Sequence, residues 1–212
     1  MFLSIFQSSP AFAVAIVIGF VVGITLHEAA HATSAYLLGD DTAYRMGRVT
    51  LNPAAHLDLQ GSILLLIAGF GWGKPTPYSP SKLRYGVFGP VLVAVAGPIS
   101  NLLILVVCAG LYLLPSFHSG YLQLLVVGIA FVNTLLFVFN LLPIPPLDGS
   151  KIIFPFLPRA LDGFVDFMNE YGMYIIFGVF LLSFVIPSFS PFGFILQIMR
   201  PLLQFFGLPA VF

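Results

Sequence analysis

The stretch AFAVAIVIGFVVGITLHEAAHATSAYLL, from Ala11 to Leu38, decides how the chain folds. Its first half, Ala11 to Leu26, is apolar apart from Thr25 and two glycines, and then His27, Glu28 and His31 fall within five residues. On an α-helix, His27 and His31 lie one turn apart and project from the same face. That spacing lets two imidazoles hold one metal ion, with Glu28 beside them to take a proton from a water that the metal activates. At ~1.5 Å rise per residue, His27 lies roughly 24 Å in from Ala11 and roughly 16 Å from Leu38. A hydrocarbon core of ~30 Å therefore places the histidines at membrane depth.

Two plainer readings compete with a metal site. A short motif with two variable positions arises by chance in soluble proteins, and a lone histidine in an apolar helix is usually a hydrogen-bonded packing residue. Here three ionisable groups share one lipid-compatible helix. A charge at a helix centre costs at least ~2.5–3.5 kcal/mol on insertion scales unless it is paired or liganded. Membrane depth makes the packing reading expensive, so the metal reading is preferred.

Composition agrees with an integral membrane protein. Of 212 residues, 59% are hydrophobic and 8% charged, with mean hydropathy +1.04. The formal net charge of zero gives no reason to expect nucleic acid as a partner. The single cysteine, Cys108, lies in an apolar run and reads as a packing residue. Met1 to Phe20 lacks the Lys/Arg region of a secretory signal and runs into the motif helix, so it reads as retained.

The predicted fold is an all-α polytopic membrane protein with about four to six transmembrane helices. A short membrane-associated β-hairpin or re-entrant segment is expected after the first helix. Gly39-Asp40-Asp41 ends the first helix, and alternation around Arg48, Thr50 and Asn52 predicts short strands before the Asn52-Pro53 turn. Ile63 to Phe70 is too short to span and is broken by Gly69, Gly71 and Gly73, so it reads as re-entrant. Val87–Leu114, Tyr121–Leu142 and Tyr171–Ile186 read as spans, and 192–212 as a span or an interfacial segment. Residues 1–212 read as one integral membrane domain, with a core at 11–155 and C-terminal helices at 170–212.

If 63–70 is re-entrant, one face receives Arg45, Arg48, Lys74, Lys82, Arg84, Lys151 and Arg159, and residues 1–10, 115–120 and 187–191 opposite contain no Lys or Arg. The positive-inside rule then puts the charged face, and the nearby histidines, toward the cytoplasm. The expected location is a prokaryotic inner or plasma membrane, as a multi-pass protein.

A catalytic metal of this type needs a third protein ligand. His118 falls in the turn on the opposite face, and His56 reads as a surface or hairpin residue. Asp148 is better placed, because Pro143, Pro145 and Pro146 unwind the chain after a span on the correct face. Without a metal site it would read as an Asx-turn before Gly149. Asp162, Asp166 and Glu170 read as a solvated polar loop. Asn101 reads equally well as a donor to a developing oxyanion or as an interhelical hydrogen-bonding residue, and Asn140 as a brace for the proline-rich bend.

Three blocks, His27-Glu28-Ala29-Ala30-His31, Gly97-Pro98-Ile99-Ser100-Asn101 and Asn140-Leu-Leu-Pro143-Ile-Pro145-Pro146-Leu147-Asp148-Gly149, resemble the site-2 protease family of intramembrane zinc metalloproteases. Thr50-Leu51-Asn52-Pro53 with His56, and Gly71-Trp72-Gly73-Lys74-Pro75-Thr76-Pro77, are similar to its compact prokaryotic branch, which lacks a PDZ domain. The resemblance covers most of 20–155. It implies one Zn2+ per chain held by His27, His31 and Asp148, Glu28 as catalytic acid/base, and Asn101 facing the active site near the substrate. Ser150 stands where the family commonly has a second glycine. The activity implied is endoproteolysis within or near transmembrane helices of membrane-protein substrates, with the lipid bilayer as surroundings. The alternatives are a catalytically silent zinc-binding membrane protein, which could have lost Glu28, and a metal transporter, which would carry ligands along a path to both faces. Nothing in the sequence specifies an oligomeric state.

Overall fold

A computed structural model describes residues 9–68, 71–186 and 189–209. Its helices are α1 (Pro10–Leu37), α2 (Thr42–Arg45), α3 (Leu59–Ala68), α4 (Phe88–Tyr112), α5 (Gly120–Asn140), α6 (Asp148–Ile153), α7 (Asp162–Val185) and α8 (Pro191–Phe205). Four of them, α1, α4, α5 and α7, are long and apolar enough to cross a membrane, which makes this an integral membrane protein.

Helices α1, α4 and α5 pack on one another and form the centre of the bundle. Apolar burial alone does not drive helices together in lipid, where the tails are as apolar as leucine; close packing and buried hydrogen bonds do. Small residues supply the close packing. A Cβ on Gly19 would come within 2.9 Å of Ile129 Cα, and one on Gly128 within 2.6 Å of Ala15 Cβ, so α1 and α5 meet almost backbone to backbone. Phe12, Ile16, Phe20 and Ile24, one turn apart on α1, join Val127, Phe131 and Leu136 of α5 in the main core. Cys108 is buried with Leu105, Val126 and Ala130, as a packing residue would be.

Helix α8 is fifteen residues long and buries Ile195, Met199 and Leu203 along one stripe against α5. It falls short of the four spans, and residues 210–212 of the expected C-terminal segment lie outside the described residues. Helix α7 begins nine residues before the expected span. Asp162, Asp166 and Glu170 thus sit on its first turns rather than in a loop, although their side chains are exposed. Asp162 at the helix N-terminus complements the helix dipole there.

Among the described residues no β-hairpin forms. Residues 42–45 make the helical turn α2, Gly47 closes it at φ +69°, and Pro53–Ala55 make a 3-10 turn capped by Asn52. The alternation near Arg48 therefore reflects one inward-turned arginine rather than a strand. Among the described residues the β pairing is a single antiparallel bridge, Leu57 with Gly73. Helix α3 is ten residues long, ~15 Å, and by Gly73 the chain is back beside Leu57. Gly69 and Phe70, at the tip of the expected re-entrant segment, lie outside the described residues.

Helix α1 ends as the glycine predicts. Gly39 at φ +107° lets its own N–H reach Tyr36 O and that of Asp40 reach Ala35 O, which satisfies the last carbonyls of the helix. Asp40 is then fully buried. Its Oδ1 accepts from Thr42 N (3.0 Å) and Thr42 Oγ1 (2.5 Å), and its Oδ2 accepts from Ser79 N (2.5 Å). Burial alone would raise the Asp40 pKa. The Thr42 hydroxyl, the two backbone N–H donors and the Lys82 charge outweigh it and hold the carboxyl below its ordinary value. A carboxyl depressed in the folded state contributes stability above its unfolded pKa of ~3.9, and that contribution is lost as pH falls through the folded value. Asp40→Asn should therefore lower the melting temperature at neutral pH by several degrees, and the gap to wild type should narrow below a pH of about 4. Thermal scans of the detergent-solubilised protein from pH 7 to pH 3 measure both.

Candidate metal centre

His27 and His31 project from one face of α1, and α6 brings Asp148 to them. The chain leaves α5 at Asn140, turns through Pro143–Pro146 and starts α6 against the end it has just left. Gly149 makes this possible, because a Cβ there would run into the carbonyl oxygens of Leu141 and Leu142. His27 Nε2, His31 Nε2 and Asp148 Oδ2 then form a triangle with sides of 3.0, 3.1 and 3.2 Å. All three residues are buried.

The remaining atoms of these side chains define their protonation. His27 Nδ1 lies 2.7 Å from Asn101 Oδ1, and His31 Nδ1 lies 2.7 Å from Val93 O. A carbonyl only accepts, so His31 carries its hydrogen on Nδ1. Asn101 commits its Nδ2 to Gly23 O (3.2 Å) and Asn133 Oδ1 (2.9 Å), so Oδ1 is the oxygen facing His27, and His27 too is protonated on Nδ1. In the neutral form that a metal ligand requires, both Nε2 atoms then present lone pairs to each other and to a carboxylate oxygen. Asp148 Oδ2 is buried and accepts no hydrogen bond. Three electron-rich atoms this close repel unless a cation sits among them. A tetrahedral ion with ligand bonds of ~2.0–2.1 Å needs edges of roughly 3.3–3.4 Å, within a few tenths of those seen. The donor set fits a divalent metal ion.

Glu28 stands beside this triangle and is not part of it. Thr76 N donates to its Oε2 at 2.8 Å, and the Thr76 hydroxyl donates to the Glu28 carbonyl at 3.0 Å. Arg48 Nη2 lies 3.9 Å from the same Oε2. The ion site and Glu28 open on a cavity of about 390 Å3 whose walls are mostly apolar, among them Ile24, Leu136, Phe139, Ile176 and Phe177. Asn140 also lines the cavity while its Nδ2 donates to Leu136 O (2.9 Å), and Lys151 Nζ lies 3.4 Å from Asp148 Oδ1.

The structure thus brings His27, Glu28, His31 and Asp148 together. It places Asn101 behind His27, fully buried and not among the residues that line the cavity. His56 is fully buried rather than on the surface: its Nε2 donates to Thr50 O (2.8 Å) and its carbonyl accepts from Lys74 N (2.7 Å). His118 stays in the exposed turn before α5, bonded to Tyr112 O.

Several residues of the site have roles that composition and spacing do not show. Gly97 is one: a Cβ there would collide with the His31 ring and come within 2.7 Å of His27 Cε1. Asn133 holds Asn101, and its own Nδ2 donates to Ile129 O at 2.9 Å. Thr76 acts largely through a backbone N–H. Gly97, four residues before Asn101 on α4, is a small residue on the same helix face as a polar one.

Residues 114–184, which include Asp148, match the model of peptidase family M50. The chain is 43% identical over 181 residues to a Bacillus subtilis protein named as a zinc metalloprotease, YwhC, covering 81% of this chain and 80% of that one. It is 31% identical over 174 residues to Rip2 of Mycolicibacterium smegmatis, named likewise, covering 76% of this chain and 64% of that protein. Rip2 of Mycobacterium tuberculosis is 33% identical over 156 residues, covering 68% and 58%. The chain thus spans less than two thirds of either Rip2. No solved structure matches the chain.

Residues behind the ligands should tune metal affinity without touching the ion. Asn101→Ala should weaken divalent metal binding by ~10–100-fold in chelator competition. Gly97→Val, which pushes a branched side chain into both rings, should come close to abolishing it. Affinity unchanged in both variants would contradict the assigned hydrogen-bond pattern.

Proposed function

The chain belongs to peptidase family M50, the site-2 protease family, and from that membership we propose that it is a zinc metalloprotease cutting membrane-protein substrates within or near their transmembrane helices. The observation that carries this reading is the convergence of His27 Nε2, His31 Nε2 and Asp148 Oδ2 beside Glu28 on a cavity lined in part by membrane-crossing helices.

His27, His31 and Asp148 would hold one zinc ion. When bound, zinc supplies Lewis acidity, polarising a carbonyl and making a water acidic near neutral pH. Glu28 is the proton carrier. Thr76 N–H fixes Oε2, which leaves Oε1 to take the proton as water attacks the scissile carbonyl carbon. Glu28 then passes that proton to the departing amide nitrogen as the C–N bond breaks, so hydroxyl ends on the acyl fragment and hydrogen on the amine. Asn101 acts from behind, keeping His27 in the tautomer whose Nε2 is free.

Substrate must reach the site unwound, because a helix hides its carbonyls in its own hydrogen bonds. The segment from Gly71 to Thr76 runs along the cavity without helical structure and gives an unwound substrate a wall to lie against. The apolar walls suit transmembrane side chains. The positive-inside rule supports a plasma-membrane protein with this site toward the cytoplasm. Arg48 is buried and contributes little to that rule, but Arg45, Lys74, Lys82, Arg84 and Arg159 remain exposed.

In nanodiscs containing the zinc-loaded protein, a single-span substrate should be cut at a site inside or next to its apolar segment, and a zinc chelator should stop cleavage. Glu28→Gln should keep its zinc and lose ~100- to 10,000-fold in rate. Cleavage at full rate by Glu28→Gln, or by protein stripped of metal, would overturn the mechanism.

A further inference from the structure

Arg48 has no task in the chemistry above, yet it is placed with care. Gly47 adopts φ +69° to end α2, Arg48 N donates to Ala43 O (2.9 Å), and the side chain turns inward until only 3% of the residue is exposed. Its Nη1 donates to Pro75 O at 3.2 Å and its Nη2 donates to Lys74 O. Its Nε–H is buried with no acceptor among the described residues. Its nearest carboxylate, Glu28 Oε2, is 3.9 Å from Nη2, too far for a hydrogen bond. A guanidinium buried on these terms is poor packing, since an apolar side chain of similar volume avoids both the desolvation cost and the orphaned donor.

The carbonyls it holds give it a purpose. Pro75 O and Thr76 N belong to one planar peptide unit, so fixing the oxygen fixes the direction of the N–H. That N–H donates to Glu28 Oε2 at 2.8 Å. Pro75 and Pro77 have no N–H, so Thr76 supplies the only backbone donor between Lys74 and Tyr78. A cation on the oxygen of a peptide also polarises its N–H and strengthens the bond it donates. The fork of the guanidinium matters, because it grips two successive carbonyls at once, whereas a lysine ammonium on its flexible stem has no such fork.

We infer that Arg48 is a positioning residue for the proposed proteolysis: it sets the Pro75–Thr76 peptide unit that holds Glu28 beside the metal site. This rests on the proteolytic reading above. Wild type, Glu28→Gln, Arg48→Lys and Arg48→Gln are to be compared in nanodiscs for zinc affinity, melting temperature, and kcat and KM on a single-span substrate. Arg48→Lys should fold, bind zinc within about threefold of wild type, keep KM within about threefold and lose ~10- to 100-fold in kcat; Arg48→Gln should lose at least as much. A purely structural arginine would instead move zinc affinity, melting temperature and kcat together. That pattern, failure of both variants to fold, a change confined to KM, or an undiminished kcat in both would overturn the inference while Glu28→Gln stays inactive. An inactive zinc-loaded wild type, or an active Glu28→Gln, would overturn the proteolytic reading and this inference with it.

Discussion

Two imidazole nitrogens and a carboxylate oxygen, all lone pairs and all about 3 Å apart, are what the rest of the molecule has to hold together. Left alone they repel. They stay together because every other polar atom of the three side chains is committed elsewhere: His27 Nδ1 to Asn101, His31 Nδ1 to Val93 O and Asp148 Oδ1 toward Lys151. Neither imidazole can turn its Nε2 away without breaking a buried hydrogen bond, and in an apolar interior such a break costs about the desolvation of the orphaned group.

These commitments depend on backbones lying unusually close. The His27–Asn101–Asn133 chain crosses three helices and can only be made if α1, α4 and α5 touch. Gly19 and Gly128 bring α1 onto α5, and Gly97 lets both imidazole rings lie flush against α4. The small residues that would be indifferent choices for helix propensity are here the condition for the polar relay. Because lipid gives apolar helices little reason to associate, that relay also contributes to holding the bundle together. Site geometry and bundle stability are thus the same set of contacts.

That coupling explains what the sequence could reveal. His27 and His31 are legible because helical periodicity alone puts them on one face, and Asp148 because three prolines announce a bend. Asn101 is legible as a polar residue in a span, but whether it faces the cavity or the back of His27 depends on which side of α1 the backbone of α4 passes. No local pattern carries that information. The role of Thr76 is not legible because its contribution runs largely through a backbone N–H, and the burial of His56 is not legible because nothing in Ala55 or Leu57 beside it shows that the Thr50 carbonyl closes on its ring. The alternation around Arg48 looked like a strand, yet Gly47 and Pro53 are punctuation for turns, and the structure obeys them.

The segment from Asp40 to Arg84 is where a chain with few polar groups concentrates them. Asp40 holds Ser79, His56 holds Lys74 and Arg48 holds Lys74 and Pro75, so the stretch that crosses Glu28 is tied down by buried hydrogen bonds near both ends. Across the cavity, α7 presents Met173, Ile176 and Phe177, and Phe177 meets Trp72 ring edge to face at 6.2 Å. Each hydrogen bond on the opposite wall is directional and costly to orphan. The wall from Lys74 to Ser79 is thus held by directional hydrogen bonds, and the α7 wall presents apolar side chains to the cavity. The hydrogen-bonded wall is the one that touches Glu28, where a proton must travel between fixed atoms and a small misplacement is felt in full.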